Sequence, residues 1–294
     1  MGSPEPCMTT APKLNETRRR SRLRLAAIGA AAILAGYVAL AYGLAPALWR
    51  HHDRQHSIAM LPMTTTTSLG IPGDALNIGL EGDEGDVVCA MHAAGWTPAD
   101  PITLKSSLKI VGSVVFHRPY AQAPISDLFY QGRREDLAFE KAAGRTADTR
   151  HHVRFWKVLE VGDDGLPVWL GAVTFDRGVG VSHYTGQVTH HIAPDIDAER
   201  DLLSDDLAGV GKTDATYEVS GVDPSLLYRN GGGDPYYTDG EIRFAKLTRG
   251  CDSHNEKPAV AANPPSVEVK NWTWRNILAP MAALLRREAP REGI

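Results

Sequence analysis

The sequence predicts an α+β domain behind a single N-terminal transmembrane helix, with one mostly antiparallel sheet and a few helices. Three observations carry that class. Residues 25–48 contain no charged side chain, apolar residues at three- and four-residue spacing are concentrated early in the chain that follows, and strand-like segments then succeed one another without helices between them. Strands adjacent in sequence favour antiparallel pairing over a doubly wound parallel sheet, which needs a crossover helix between strands.

The uncharged stretch is long enough, at 1.5 Å per residue, to give a helix of about 36 Å against a hydrocarbon core of about 30 Å. Its flanks are unequal. Residues 1–24 hold six basic side chains (Lys13, Arg18, Arg19, Arg20, Arg22, Arg24) against Glu5 and Glu16, a net of +4, whereas the whole chain, with 31 Lys+Arg and 35 Asp+Glu, carries −4. The remainder therefore carries −8. By the positive-inside rule this asymmetry places residues 1–24 in the cytoplasm as a basic tail and everything after Trp49 outside, with the bilayer as partner of residues 25–48. The cytoplasmic membrane of a bacterium is the expected location. A cleaved signal peptide is the competing reading, because Ala39-Leu-Ala41 resembles a cleavage site; the apolar run exceeds the usual signal length of roughly 7–15 residues, which favours an uncleaved anchor. Apolar content of 43% and charged content of 22% exclude a disordered chain, a collagen and a many-span transporter. The acidic remainder speaks against nucleic acid as a partner.

Residues 49–72 read as a stalk, with His51, His52 and His56 as solvated linker histidines and a Thr64 to Thr67 run. A domain over residues 73–250 follows, long enough to bury about 70% of its unfolded surface. Residues 74–80 suit a strand, and 84–94 a helix stopped by Gly95. A second helix fits 103–115, where Leu104, Leu108, Val111 and Val115 share a face. Strands are expected at 126–130, 137–141, 151–161, 168–176, 179–183 and 187–192, then a helix at 195–207 with acidic residues in its first turn. Two more strands are expected at 215–219 and 241–247. Residues 251–294 are a linker and an amphipathic helix, striped by Trp274, Ile277, Leu278, Met281, Leu284 and Leu285 with Pro280 as a kink. That helix packs back on the domain or lies in the membrane surface, and packing is the favoured reading. Cys89 and Cys251 would share an oxidising compartment and pair there, or Cys89 is a buried free thiol.

Several motifs fail on inspection. GVGKT (209–213) has Asp206 where a phosphate-binding loop needs glycine, and it follows a helix instead of opening one, so it reads as a helix end. Asp195, Asp197 and Glu199 have calcium-loop spacing, but Arg200 stands where that loop turns on glycine. Residues 230–234, NGGGD, read as a flexible turn.

Five of the eleven histidines fall between residues 151 and 191. Strand alternation puts His152, Arg154 and Trp156 on one face and Val153, Phe155 and Leu159 on the other. A three-residue loop at 163–165 would pair Val153 with Phe175, Phe155 with Val173 and Leu159 with Trp169, placing His152 opposite Asp176 and Arg154 opposite Thr174. A carboxylate beside an imidazole fixes its tautomer and raises its basicity. His152 and Asp176, with one of His190 or His191 and with Arg154 to hold an anionic group, are therefore the candidate catalytic set. His152, His190 and Asp195 are candidate ligands for zinc. Alternation allows only one of His190 and His191 to join His152. Against this stands the plain reading that strand histidines satisfy buried polar groups.

The strings GWTPAD (95–100), DLAFEK (136–141), HHVRFW (151–156) and THHIAPDIDAERD (189–201) resemble the LssY C-terminal domain family, clearly over residues 73–207 and less so to 249. The resemblance implies a domain that is frequently joined to multi-pass modules similar to DedA or to type 2 phosphatidic acid phosphatases. It also implies a membrane-protein or secretion-system partner, because the family is associated with a type I secretion locus. The domain's own activity is unassigned. Here one anchor stands in place of the multi-pass module, so lipid-phosphatase chemistry, which belongs to that module, does not transfer. The leading expectation is an extracytoplasmic domain in an accessory or ligand-binding role, and the rival is an envelope hydrolase using the His/Asp set, with or without zinc.

Overall fold

A computed structural model describes residues 13–40, 56–99, 128–143, 149–186 and 188–287. The expected helix at 103–115 lies outside the described residues, as do residues 41–48 of the expected span and 49–55 of the stalk. The chain divides into two compact units, Met1–Arg50 and His51–Ile294. In the first, helix α1 (Lys13–Ala39) includes an apolar segment, Ser21–Ala39, of mean hydropathy 1.5, which is long and apolar enough to cross a membrane by length and composition. Within this unit Leu25, Ile28, Ile33 and Leu34 are all exposed.

The second unit is α+β and mostly antiparallel, as the sequence predicts. Its main sheet contains β3 (Ile78–Glu81), β4 (Thr97–Pro98), β7 (Leu137–Ala142), β8 (Arg150–Leu159), β9 (Val168–Val181), β10 (Val188–Ile192), β11 (Thr213–Ser220), β14 (Glu241–Leu247) and β15 (Ala259–Val260). The order is β15-β11-β14-β3-β9-β8-β7-β4, with β10 on the outer half of β9. Among the described strands of this sheet, the β14–β3 and β11–β15 pairings are parallel and the others antiparallel. A smaller sheet joins β1 (Thr64–Thr67), β2 (Pro72–Ala75), β5 (Leu128–Tyr130) and β6 (Arg133–Arg134). The Thr64 to Thr67 run, read in the sequence as stalk, is therefore part of this sheet, and Ile58 before it is buried in the core. A third hairpin, β12 (Ser225–Arg229) with β13 (Pro235–Thr238), carries no strong alternation and was not expected.

Each face of the main sheet buries a different layer. On one, Ile78, Leu80, Val153, Phe155, Trp169 and Val173 pack against α2 (Glu84–Ala93) and α3 (Ile196–Gly209) through Val87, Met91, Leu203 and Leu207. On the other, Trp156, Leu170, Tyr217 and Phe244 meet Leu76 and, from the smaller sheet, Leu128 and Tyr130. The sheet centre is thus covered on both sides, which is why the first half of β9 is continuously buried instead of alternating.

Two expectations about this sheet are corrected. Residues 168–176 and 179–183 are not separate strands but one long β9. The register of β8 against β9 is shifted by two residues: Val153 pairs with Val173, Phe155 with Gly171, His152 with Thr174 and Arg154 with Ala172. Beyond Lys157 the register shifts again at a bulge, so Leu159 meets Val168 and packs on the smaller-sheet side instead of sharing a face with Phe155. The connection is residues 160–167, longer than the three-residue loop assumed. Gly171 supplies the physical reason for the pairing, because a Cβ there would lie 2.6 Å from the Phe155 ring. A two-residue slip preserves which face each side chain occupies, so the face assignment of His152 and Arg154 survives the error.

Near the C-terminus, α4 (Pro265–Thr273) runs through a π-helical segment (Trp274–Leu278) into α5 (Ala279–Arg287), and Pro280, which has no N–H to donate, falls just after that irregular turn. Trp274 and Ala282 pack against Tyr237, so the helix docks on the domain while Trp272, Met281, Leu284 and Leu285 stay exposed. Cys89 on α2 and Cys251 form a disulfide, Cα–Cα 5.8 Å.

Candidate functional site

Three neighbouring strands, β8, β9 and β10, deliver the histidines. On the face that β8 turns away from α2 and α3, Asp176 is the hub, with no exposed surface. Its Oδ2 accepts a hydrogen bond from Arg150 Nε at 3.2 Å and lies 3.1 Å from His152 Nδ1 and 3.8 Å from His190 Nδ1. His152 Nε2 and Thr174 Oγ1 share a 2.7 Å hydrogen bond, and Arg150 also reaches Glu140 Oε2 on β7 at 3.0 Å. Arg154 is paired with Asp74 of β2 at 3.6 Å. His152, Asp176, Arg154 and His190 are therefore brought into one buried constellation. The hairpin partner question resolves to His190.

The remaining candidates go elsewhere. His191, the next residue along β10, points the other way, and its Nδ1 is 2.7 Å from Asp234 Oδ1. His151 likewise leaves the face of His152 and pairs with Glu199 on α3 at 2.6 Å. Asp195 does not meet His152 or His190, so the expected zinc set does not converge. Asp195 caps α3 instead, accepting from Ala198 N at 3.1 Å and from the Tyr237 hydroxyl at 3.1 Å. The other carboxylates of the apparent calcium spacing are equally committed: Asp197 accepts from Thr238 Oγ1 and Asp239 N, both at 2.7 Å, and Glu199 holds His151. Arg200 forks onto both oxygens of Asp239 at 2.7 and 3.0 Å.

Sequence reasoning missed Arg150, Glu140 and Asp74. Arg150 was accessible, since it stands two residues before His152 and shares its face. Asp74 and Glu140 arrive from other strands, and nothing local marks them.

The electrostatics follow from burial against charge. Burial alone would raise the Asp176 carboxyl, but His152, His190 and Arg150 outweigh it and hold Asp176 well below the ordinary carboxylate range. Asp74 goes the other way: its burial outweighs Arg154 and His152 and raises it. Burial likewise lowers Arg154 against the pull of Asp74. His190 is pushed down to about 4, chiefly by burial, with Arg150, His152 and Arg154 adding to it against Asp176. At neutral pH it is thus an uncharged imidazole, and its Nε2 is buried without a hydrogen-bond partner among the described residues.

That shift has a measurable consequence. A histidine with a folded pKa of about 4 against an ordinary 6.5 contributes stability that is present above pH 6.5 and is lost as pH falls toward 4. Between pH 7.5 and 5 the domain should lose about 2 kcal/mol through this residue, and His190→Asn should remove that part of the slope. Asp197, raised to about 7 by burial and by Asp239, acts in the opposite sense over the same range, so the wild-type minus H190N difference from urea unfolding at each pH is the quantity to read. Parallel curves for the two proteins would refute the assignment.

The arrangement can hold charge in the interior and keep a neutral imidazole beside a carboxylate, while His191 on the opposite face of β10 pairs with Asp234. No curated protein and no solved structure matches the chain. The LssY C-terminus family model matches residues 58–242, which contain all four resembling strings, both histidine clusters and Asp234. The chain belongs to the LssY C-terminus family.

Proposed function

We propose that the chain is a single-pass protein of the bacterial cytoplasmic membrane, N-terminus inside, that holds its LssY C-terminal domain on the extracytoplasmic face in an accessory or ligand-binding role. The observation that carries this reading is α1: its Ser21–Ala39 segment is long and apolar enough to cross a bilayer, and lipid is the solvent that suits such a surface. The basic cluster ahead of it sets the direction by the positive-inside rule. The Cys89–Cys251 disulfide supports the same side, because such bonds persist in oxidising compartments. A binding role is favoured over catalysis by the state of Asp176, which is wholly buried and already engaged by Arg150, His152 and His190. The hydrolase reading rests on one specific observation, the Nε2 of the neutral His190, which has no hydrogen-bond partner among the described residues.

Topology is tested with reporters joined after Ile294 of the full chain. An alkaline phosphatase reporter should be active and a fluorescent-protein reporter dark, with the chain at full length in the membrane fraction. The reverse pattern sinks the outside assignment, and a shortened, soluble product would mean that α1 is a cleaved signal.

A further inference from the structure

We propose that His183, His191 and Asp234 form a zinc site at the outer end of the β9–β10 hairpin, separate from the buried Asp176 constellation. Among the described residues these three bring one donor atom each to within 4.8 Å of one another. Both imidazoles address the same carboxylate oxygen: His191 Nδ1 is 2.7 Å and His183 Nε2 3.9 Å from Asp234 Oδ1. A tetrahedral zinc ion with bonds of about 2.0–2.1 Å sets its donors about 3.4 Å apart, between those two distances. Small side-chain rotations would close the geometry, and His183, 58% exposed at its side chain, is free to make the larger one.

The surroundings hold the donors in place. Asp234 is 3% exposed at its side chain, and its Oδ2 accepts from Ile192 N at 3.1 Å, leaving Oδ1 as a single directed ligand. Asn230 Oδ1 accepts from Gly232 N at 3.0 Å and Asp234 N at 2.8 Å, so the NGGGD segment is a braced turn and not a flexible one. His183 N donates to Gly232 O at 2.9 Å. Gly233, at φ +90°, lets the turn approach His183, whose Cβ would lie 2.7 Å from any Cβ at 233. His191 Nε2 rests on Gly180, where an added Cβ would sit 2.1 Å away, so Nδ1 is the ring nitrogen that faces the site.

A simple His–Asp hydrogen bond accounts for His191 but not for the second ring, 5.5 Å away centroid to centroid, turned to the same oxygen. Two imidazoles and a carboxylate suit zinc, and three protein ligands with one open side leave a coordination position for water or an anionic ligand. Of the zinc ligands expected from sequence, His152 and His190 stand at the buried Asp176 and Asp195 caps α3, so none of them enters this site. The inference is independent of membrane topology, since zinc titration of the purified protein reads the same whichever side the domain occupies.

The test is zinc titration of the full chain, purified in detergent without a metal-affinity tag and stripped of metal, followed by calorimetry and by cobalt absorption. One equivalent of zinc with tetrahedral cobalt bands is expected. His183→Ala should weaken binding at least tenfold while the melting temperature of the metal-free protein stays within about 2 °C, because the side chain is exposed. Asp234→Asn should do the same where it folds. His190→Ala and a His51→Ala/His52→Ala/His56→Ala variant should bind as wild type. No stoichiometric zinc, binding indifferent to His183→Ala, or loss that follows His190 or the stalk histidines would each overturn the proposal.

Discussion

Replacing Asp176 by alanine is expected to destabilise the domain by about 3–5 kcal/mol, the range for removing one partner of a buried ion pair. Arg150 and His152 are 3% and 4% exposed at their side chains and both direct a nitrogen at Asp176 Oδ2, so the substitution takes one carboxylate from a buried guanidinium and from the buried imidazole beside it. Asp176→Asn should cost less, because it keeps an acceptor of the same shape and loses only the charge. Urea unfolding of the purified protein at pH 7.5 measures both. A loss below about 1 kcal/mol in Asp176→Ala would mean that this carboxylate does not organise the constellation, and would remove the ground for reading it as structural instead of catalytic. The pH dependence has a definite sign: a carboxyl held below its ordinary value contributes stability above pH 4 and loses it under stronger acid, and D176A should lack that acid-dependent component.

Breaking the Cys89–Cys251 disulfide should have a comparable effect. The bond ties α2 to the segment after β14 across 162 residues, and loop closure on that scale is worth about 5 kcal/mol in the chain-entropy relation, the upper end of measured values. An expected loss of about 3–5 kcal/mol follows for a Cys89→Ala/Cys251→Ala double variant. Wild-type protein in reductant should fall to the level of the double variant, and reductant should leave the double variant unchanged. Equal stability of wild type with and without reductant would indicate that the cysteines are not joined. The same pair reports on compartment, because free thiols trapped from intact cells would contradict an oxidising location.

Period-two alternation was enough to assign His152 and Arg154 to one face, and it required that His190 and His191 part company, because both statements depend only on the pleat. The helix at Glu84–Ala93 and its stop at Gly95 were legible for a similar reason: the apolar spacing and a glycine at positive φ are local. The register of β8 on β9 was not legible. It depends on the length of the 160–167 connection and on Phe155 packing over Gly171, two residues far apart in sequence. Asp195 was a candidate because a histidine pair needs a carboxylate to complete a zinc set and Asp195 follows His190 and His191 closely, yet it and its acidic neighbours each find a different partner at the end of α3 or across to β13 and β8.

The sequence by itself determined the properties that follow from composition and period: an apolar helix behind a basic tail, an α+β class, and histidines on alternating faces of strands. Only the tertiary structure decided which histidine joins which carboxylate. Asp176 meets His152, Arg150 and His190 across three strands, and His183 and His191 meet Asp234, which follows His191 by 43 residues on a turn that sequence alone reads as slack. The physical reason is that local preference is a property of neighbours along the chain, whereas a buried charge selects its partner from whatever the packing brings within about 4 Å, and that selection depends on register, connection length and the small residues that permit close approach.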